Sequence, residues 1–190
     1  MQLIFSDPYY DSSEWQEDKF LNELNGNLQE FDEQLVAQNA DIGHGADWPC
    51  VLVELFNDVD WKTIVGASAV SIFLLGDKIN KNLEAWEMIF RKFSVLISKF
   101  KPTRIDEQAA ICMVVCKLKE KGVEISNIEI ALQVIPFTPG AVQGRSKLEE
   151  TPDALYVISA KFDDKAYVFG IKSNGNHVFQ HEFHTSWMKF

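Results

Sequence analysis

The sequence predicts an α+β fold: an N-terminal β-α-β unit, central helices, and a C-terminal antiparallel sheet of about four strands. Three observations carry this. Apolar residues recur at threes and fours between residues 79 and 121, the period of an amphipathic helix. After Gly122 they alternate with polar residues in β-branched runs, the period of a strand. The composition, 46% hydrophobic and 24% charged over 190 residues, is that of a globular chain.

The elements come in order along the chain. QLIF at 2–5 is a short apolar run stopped by Asp7 and Pro8, and reads as a first strand. Ser13 and Gln16 form an S-x-x-Q capping pattern. Trp15, Phe20, Leu21 and Leu24 fall near helical spacing, so a helix is expected at about 14–25, ended by Asn25-Gly26-Asn27. A second strand is expected over 28–38. The glycines and proline of 41–49 mark a loop containing His44.

Helices are then expected near 50–57, across 61–76 and from 79 to 100. The uncharged run TIVGASAVSIFLLG at 63–76 has 14 residues. That is shorter than the roughly 18 needed to span a bilayer, so a buried helix is expected, its small Gly66, Ala67, Ser68 and Ala69 allowing close approach. The helix of 79–100 repeats Leu83, Trp86, Ile89, Phe90, Phe93, Leu96, Ile97 and Phe100, with a basic outer face that includes Arg91, Lys92 and Lys99. Thr103 and Asp106 open a further helix in the T-x-x-D manner, and Gly122 closes it. Strands are expected at 127–137, 154–162, 165–172 and 177–185, joined in part by the turns Asp163-Asp164 and Ser173-Asn174-Gly175-Asn176. A core is expected from Phe73, Trp86, Phe90, Phe93, Ile111 and Val115, with Val157, Val168 and Phe169 from the sheet. The organisation is a single domain over 1–190, with an acidic β-α-β part at 1–45, a helical part at 46–122 and an antiparallel β part at 123–190.

The charge is lopsided. Of 28 acids and 18 bases, 14 acids and one base, Lys19, fall in residues 1–60. The N-terminal third therefore carries −13 of a net −10, and the rest carries +3. Such a field repels nucleic acid and anionic lipid and speeds encounter with a basic protein. The contact residues expected are Glu14, Glu17, Asp18, Glu23, Glu30, Asp32 and Glu33. The competing account is a solvated, solubilising surface.

The sites that could carry chemistry are few. The loop 136–153 is the longest. Its Gly140, Gly144, Arg145 and Lys147 resemble a phosphate loop but miss the G-x-x-x-x-G-K-[ST] spacing. They are candidates in a mobile loop that touches a partner, the competing reading being plain disorder. His181-Glu182-Phe183-His184 is one residue short of H-E-x-x-H and sits in strand context. There His177 and His181 should share a face, with His184 opposite, as exposed residues and not metal ligands. Cys112 and Cys116, four apart in a helix, are expected to pack as small apolar side chains. With Cys50 the count of three is odd and no signal peptide opens the chain, which points to reduced thiols in the cytoplasm. No G-x-S-x-G or G-x-G-x-x-G is present. No catalytic residue, cofactor, metal, nucleic-acid contact or stable membrane insertion is therefore expected.

In size and acidity the chain is similar to small bacterial immunity proteins, although no motif assigns it to a family. The leading expectation is a non-catalytic cytosolic protein-binding protein, of the immunity or inhibitor kind, that neutralises a basic toxin domain through its acidic face. The alternatives are an enzyme whose site is scattered through the sequence, and a signalling or defence adaptor that docks through the helices of 61–100.

Overall fold

The computed structural model describes residues 1–10, 12–40, 50–55, 62–65, 70–74, 83–123, 128–137 and 152–184, without the side chains of 62–65, 70–74 and 83–89. The fold is α+β. Strands β1 (Gln2–Ser6), β2 (Ala37–Ala40), β3 (Cys50–Glu54) and β6 (Arg104–Ile105) form an antiparallel sheet in the order β2-β3-β1-β6. Strands β4 (Lys62–Val65), β5 (Val70–Leu74), β7 (Glu129–Pro136), β8 (Ala154–Phe162), β9 (Lys165–Lys172) and β10 (His177–His184) form a second, in the order β10-β9-β8-β7-β5-β4. The described helices are α1 (Lys19–Phe31), α2 (Leu83–Phe100) and α3 (Glu107–Glu120).

The N-terminal unit is a split β-α-β. β3 is antiparallel to both β1 and β2 and lies between them, so β1 and β2 run parallel without touching. Its α1 spans 19–31 and not 14–25. The capping pattern at Ser13 is not used, because the chain ahead of the helix turns back on itself, Ser12 N–H donating to Tyr9 O at 2.8 Å and Trp15 N–H to Ser12 O at 3.2 Å. Asn25-Gly26-Asn27 does not end the helix because its side chains are engaged elsewhere. The Asn25 carboxamide accepts from Ala37 N–H at 2.7 Å and donates to Ala37 O at 3.2 Å, pinning β2 to the helix. Leu28, expected in a strand, is a buried helical residue.

Two of the expected helices are strands. Residues 50–54 form β3, whose Val51 and Val53 are buried opposite Phe5 and Leu3. Within 61–76 the described residues form β4 and β5, paired from Lys62↔Leu74 to Val65↔Ser71. Gly66, Ala67, Ser68 and Ala69 lie outside the described residues. Short apolar runs fit a buried strand as well as a buried helix, and the Val and Ile content of both runs favours the strand. β5 then pairs with β7, so the expected four-strand meander β7-β8-β9-β10 continues into six strands.

Helix α3 sits at the centre. Ala109, Ala110, Ile111, Cys112, Val114, Val115 and Leu118 are all buried, and α3 packs against α2, β1 and β8. A helix apolar on most of its circumference is one enclosed on most sides. Both ends are fixed. Asp106 is the N-cap, its Oδ1 accepting from Ala109 N–H at 2.7 Å. Thr103, expected to be the cap, instead accepts from Ser6 N–H at 3.1 Å. At the other end Gly122, at φ +76°, donates to Lys119 O at 2.8 Å and Val123 donates to Leu118 O at 3.0 Å. This paired 6→1 and 5→2 closure needs a left-handed residue, which glycine supplies without strain.

Phe90, Phe93, Ile111, Val115 and Phe169 are buried as expected. Val157 and Val168 are not fully buried. The core face of β8 and β9 is Tyr156, Ile158, Ala160, Tyr167, Phe169 and Ile171, and the two valines face the other way. Phe73 and Trp86 lie outside the described side chains. A buried polar cluster joins the two sheets. Arg104 Nη1 donates to Asp153 Oδ1 and to Ser173 Oγ, both at 3.2 Å. Beside it Ile105 N–H donates to Ser173 O at 2.8 Å, and the Tyr156 hydroxyl donates to Ile105 O at 3.0 Å.

Candidate functional site

The seven acidic residues expected to meet a partner gather along α1 and at its two ends. With side chains turning about 100° per residue, Leu24, Leu28 and Phe31 point inward, while Glu23, Gly26 and Glu30 share the opposite, exposed ridge. Glu14, Glu17 and Asp18 are exposed just ahead of the helix, where its N-terminal partial positive charge favours carboxylates. Glu33 is exposed just beyond its end.

The acids are not equivalent. Asp32 is half-buried and ion-paired with Lys92 of α2. The Lys92 ammonium holds its carboxyl below the usual range. Glu23 accepts from the Tyr9 hydroxyl at 2.8 Å, which pushes that phenol up. Asp18 Oδ1 accepts from Asn39 Nδ2 at 3.0 Å. Glu14 meets Lys19 at 3.4 Å, and the Lys19 ammonium also lies 4.0 Å from the centre of the Tyr9 ring. Glu17, Glu30 and Glu33 have no side-chain partner among the described residues, and are the acids most open to a ligand.

Trp15 is exposed beside these acids, although its spacing in the sequence suggests the buried face of a helix. The side chain is 45% exposed. It stands in a turn between Glu14 and Glu17, steadied edge-on against Tyr10 at 6.2 Å between ring centroids. An exposed, braced indole close in sequence to exposed acids can place a cation over its face.

The other expected positions are less productive. Gly140, Gly144, Arg145, Lys147 and His44 lie outside the described residues. The histidines of β10 are arranged differently from expectation. A register shift between His177 and Phe179 inserts Val178 as a bulge, and one extra residue reverses the facing of every later position in the strand. His177 therefore lies opposite Ile171 on the core side, His184 shares that side opposite Lys165, and His181 is on the outer side opposite Val168. His177 packs edge-on to Phe169, 6.1 Å between ring centroids, and partial burial, with Lys117 nearby, lowers its pKa. Cys50 and Cys112 are buried and Cys116 is half-buried, its thiol donating to Phe90 O at 3.7 Å. Burial pushes the Cys50 thiol up to about 11. Among the described residues no group of three or more His, Cys, Asp or Glu could hold a metal ion, and no helix is long and apolar enough to cross a membrane.

A cleft of about 420 Å³ opens between the end of β1, the start of α1 and the β9–β10 turn, lined in part by Ser6, Phe20, Lys101, Thr103, Asn174 and Asn176. Its lining has hydroxyls, amides, phenyl rings and the Lys101 ammonium, and no histidine, cysteine or carboxylate.

Compared with protein-family models, with curated proteins and with solved structures, the chain matches none.

Proposed function

We propose that the chain is a non-catalytic, cytoplasmic protein-binding protein that takes a basic partner on the face formed by α1 and the turn before it. The observation that carries this reading is the exposed Trp15 among Glu14, Glu17 and Asp18. Acids alone serve solubility. A large aromatic held in water beside them serves contact, because Trp is the commonest kind of interface anchor. The partner supplies arginine or lysine to the indole and to Glu17, Glu30 and Glu33. A basic toxin domain, with a cationic surface evolved for nucleic acid, is a partner of this kind, and covering that surface would inhibit it.

The test is affinity capture from the source cell with the wild type, Trp15→Ala, and the triple reversal of Glu17, Glu30 and Glu33 to lysine. The triple avoids Asp18, Glu23 and Asp32, which hold neighbouring groups. A basic protein is expected on the wild type. Trp15→Ala should weaken it by about 2 kcal/mol or more, roughly 30-fold in Kd, and the reversal should slow its association most at low salt. A captured partner that is neutral or acidic, or held equally by all three forms, would defeat the proposal.

A further inference from the structure

We propose that β10 is the docking edge for a second copy of this chain, paired antiparallel about a two-fold axis at His181. β10 closes one side of the six-stranded sheet and pairs with β9 alone among the described strands. Its outer backbone edge is thus a template for another strand. Of the usual guards, proline and lysine are absent from residues 177–184. The bulge sits at its beginning, and the register then runs without a break from Phe179 to His184.

The sequence from 179 to 183, Phe-Gln-His-Glu-Phe, complements itself when turned end for end. Phe179 then faces Phe183 of the second copy, Gln180 faces Glu182, and His181 faces His181. Directly opposed side chains lie about 5 Å apart in an antiparallel pair. Both opposed positions are aromatic, so the pair covers apolar surface. The Gln180 carboxamide donates to the Glu182 carboxylate of the second copy, and the two His181 rings face each other across the axis. Shifting this alignment by two residues puts Phe179 against His181 and Gln180 against Gln180, losing both matches. Glu182 is already steadied by Lys165 at 2.9 Å, which leaves it charged and able to accept further.

The surface is also one that gains by being covered. Phe179, His181 and Phe183 make an aromatic row, with successive ring centroids 5.9 and 6.2 Å apart, and Phe183 is 43% exposed. Phe179 is fixed, because its ring lies over Gly170 where any Cβ would fall within 2.3 Å of it. The row is therefore presented by a rigid strand. Such a contact is isologous and closes at two copies. It uses none of the acidic face, so either proposal can fail without the other.

Sedimentation equilibrium at about 0.1 mM, where a Kd below that leaves most chains paired, is expected to give twice the 21.7 kDa of one chain. Phe183→Lys should weaken pairing at least about tenfold with unchanged circular dichroism. The register is read by cross-linking with diamide, which is reduced to its hydrazine as two thiols become a disulfide. His181→Cys should cross-link to itself. Gln180→Cys should not, but should cross-link when mixed with Glu182→Cys. The cross-links decide the matter if Phe183→Lys does not fold. A wild type that stays monomeric overturns the proposal, as does a dimer in which His181→Cys fails to cross-link or Gln180→Cys links to itself.

Discussion

Gly26 lies in the middle of α1 on its exposed ridge, between Glu23 and Glu30. A Cβ there would meet nothing within 4 Å, and its φ is not in the left-handed region. Neither packing nor backbone geometry therefore requires glycine, and an interior helical glycine costs about 0.5–1 kcal/mol relative to alanine. Gly26→Ala is expected to raise the unfolding free energy by that amount in urea titrations, and a loss of stability would show that the backbone at 26 is under some other constraint. The same three residues explain why the end of the helix was not legible in the sequence. Asn-Gly-Asn stops a helix when the asparagines turn onto their own backbone. Here Asn25 is taken up by Ala37, twelve residues on, and Asn27 Nδ2 donates to Glu23 O at 2.9 Å within the helix. Tertiary hydrogen bonds outweighed a local signal. Trp15 shows the converse, since its apolarity and spacing suited the core while its partner was the neighbouring Tyr10.

Among the elements, those with a long, clean period were legible. β8 and β9 match the expected ranges, and α2 and α3 stand where threes and fours recur. β3, β4 and β5 were not, because each is five residues or fewer and apolar on neighbouring positions, so no period develops. Their pairings, such as β5 with β7, join residues some sixty apart in the chain and have no local signature. The link between the two sheets is equally non-local. Ser173 Oγ accepts from Asp153 N–H at 3.0 Å, Ala154 N–H at 3.3 Å and Arg104 Nη1 at 3.2 Å, and its own hydroxyl goes to Asp153. Ser173 is 2% exposed and Arg104 8%, so water cannot replace the lost oxygen. Ser173→Ala is therefore expected to lower stability by about 1–3 kcal/mol, the cost of stranding buried donors, measured as a lower urea midpoint with an unchanged slope. A change below about 0.5 kcal/mol, the level of an ordinary surface substitution, would mean that the sheets are held by their apolar contacts alone.

For the whole molecule, charge was the most legible property of the candidate site and its geometry the least. The sequence put 14 acids beside one base in the first 60 residues; it could not show that Asp32 is drawn off by Lys92 or that Glu17, Glu30 and Glu33 are left facing water, because those outcomes depend on where α2 packs. What remains exposed is a crowd of like charges with Lys19 as the sole base of residues 1–60. Self-repulsion of this kind opposes the compact state, and screening acts beyond about 8 Å at 0.15 M salt. Added sodium chloride should then raise Tm, and reversing Glu30 and Glu33 to lysine should raise it at low salt while flattening its salt dependence. Both responses run opposite to partner association, which the same salt and the same reversal should slow. A face that lowers stability in the free protein and speeds encounter in the complex is the trade expected of a binding surface. If Tm instead falls as salt is added, attractive pairs such as Glu14–Lys19 and Lys165–Glu182 outweigh the repulsion, and the acidic face carries no stability cost that a partner would be needed to explain.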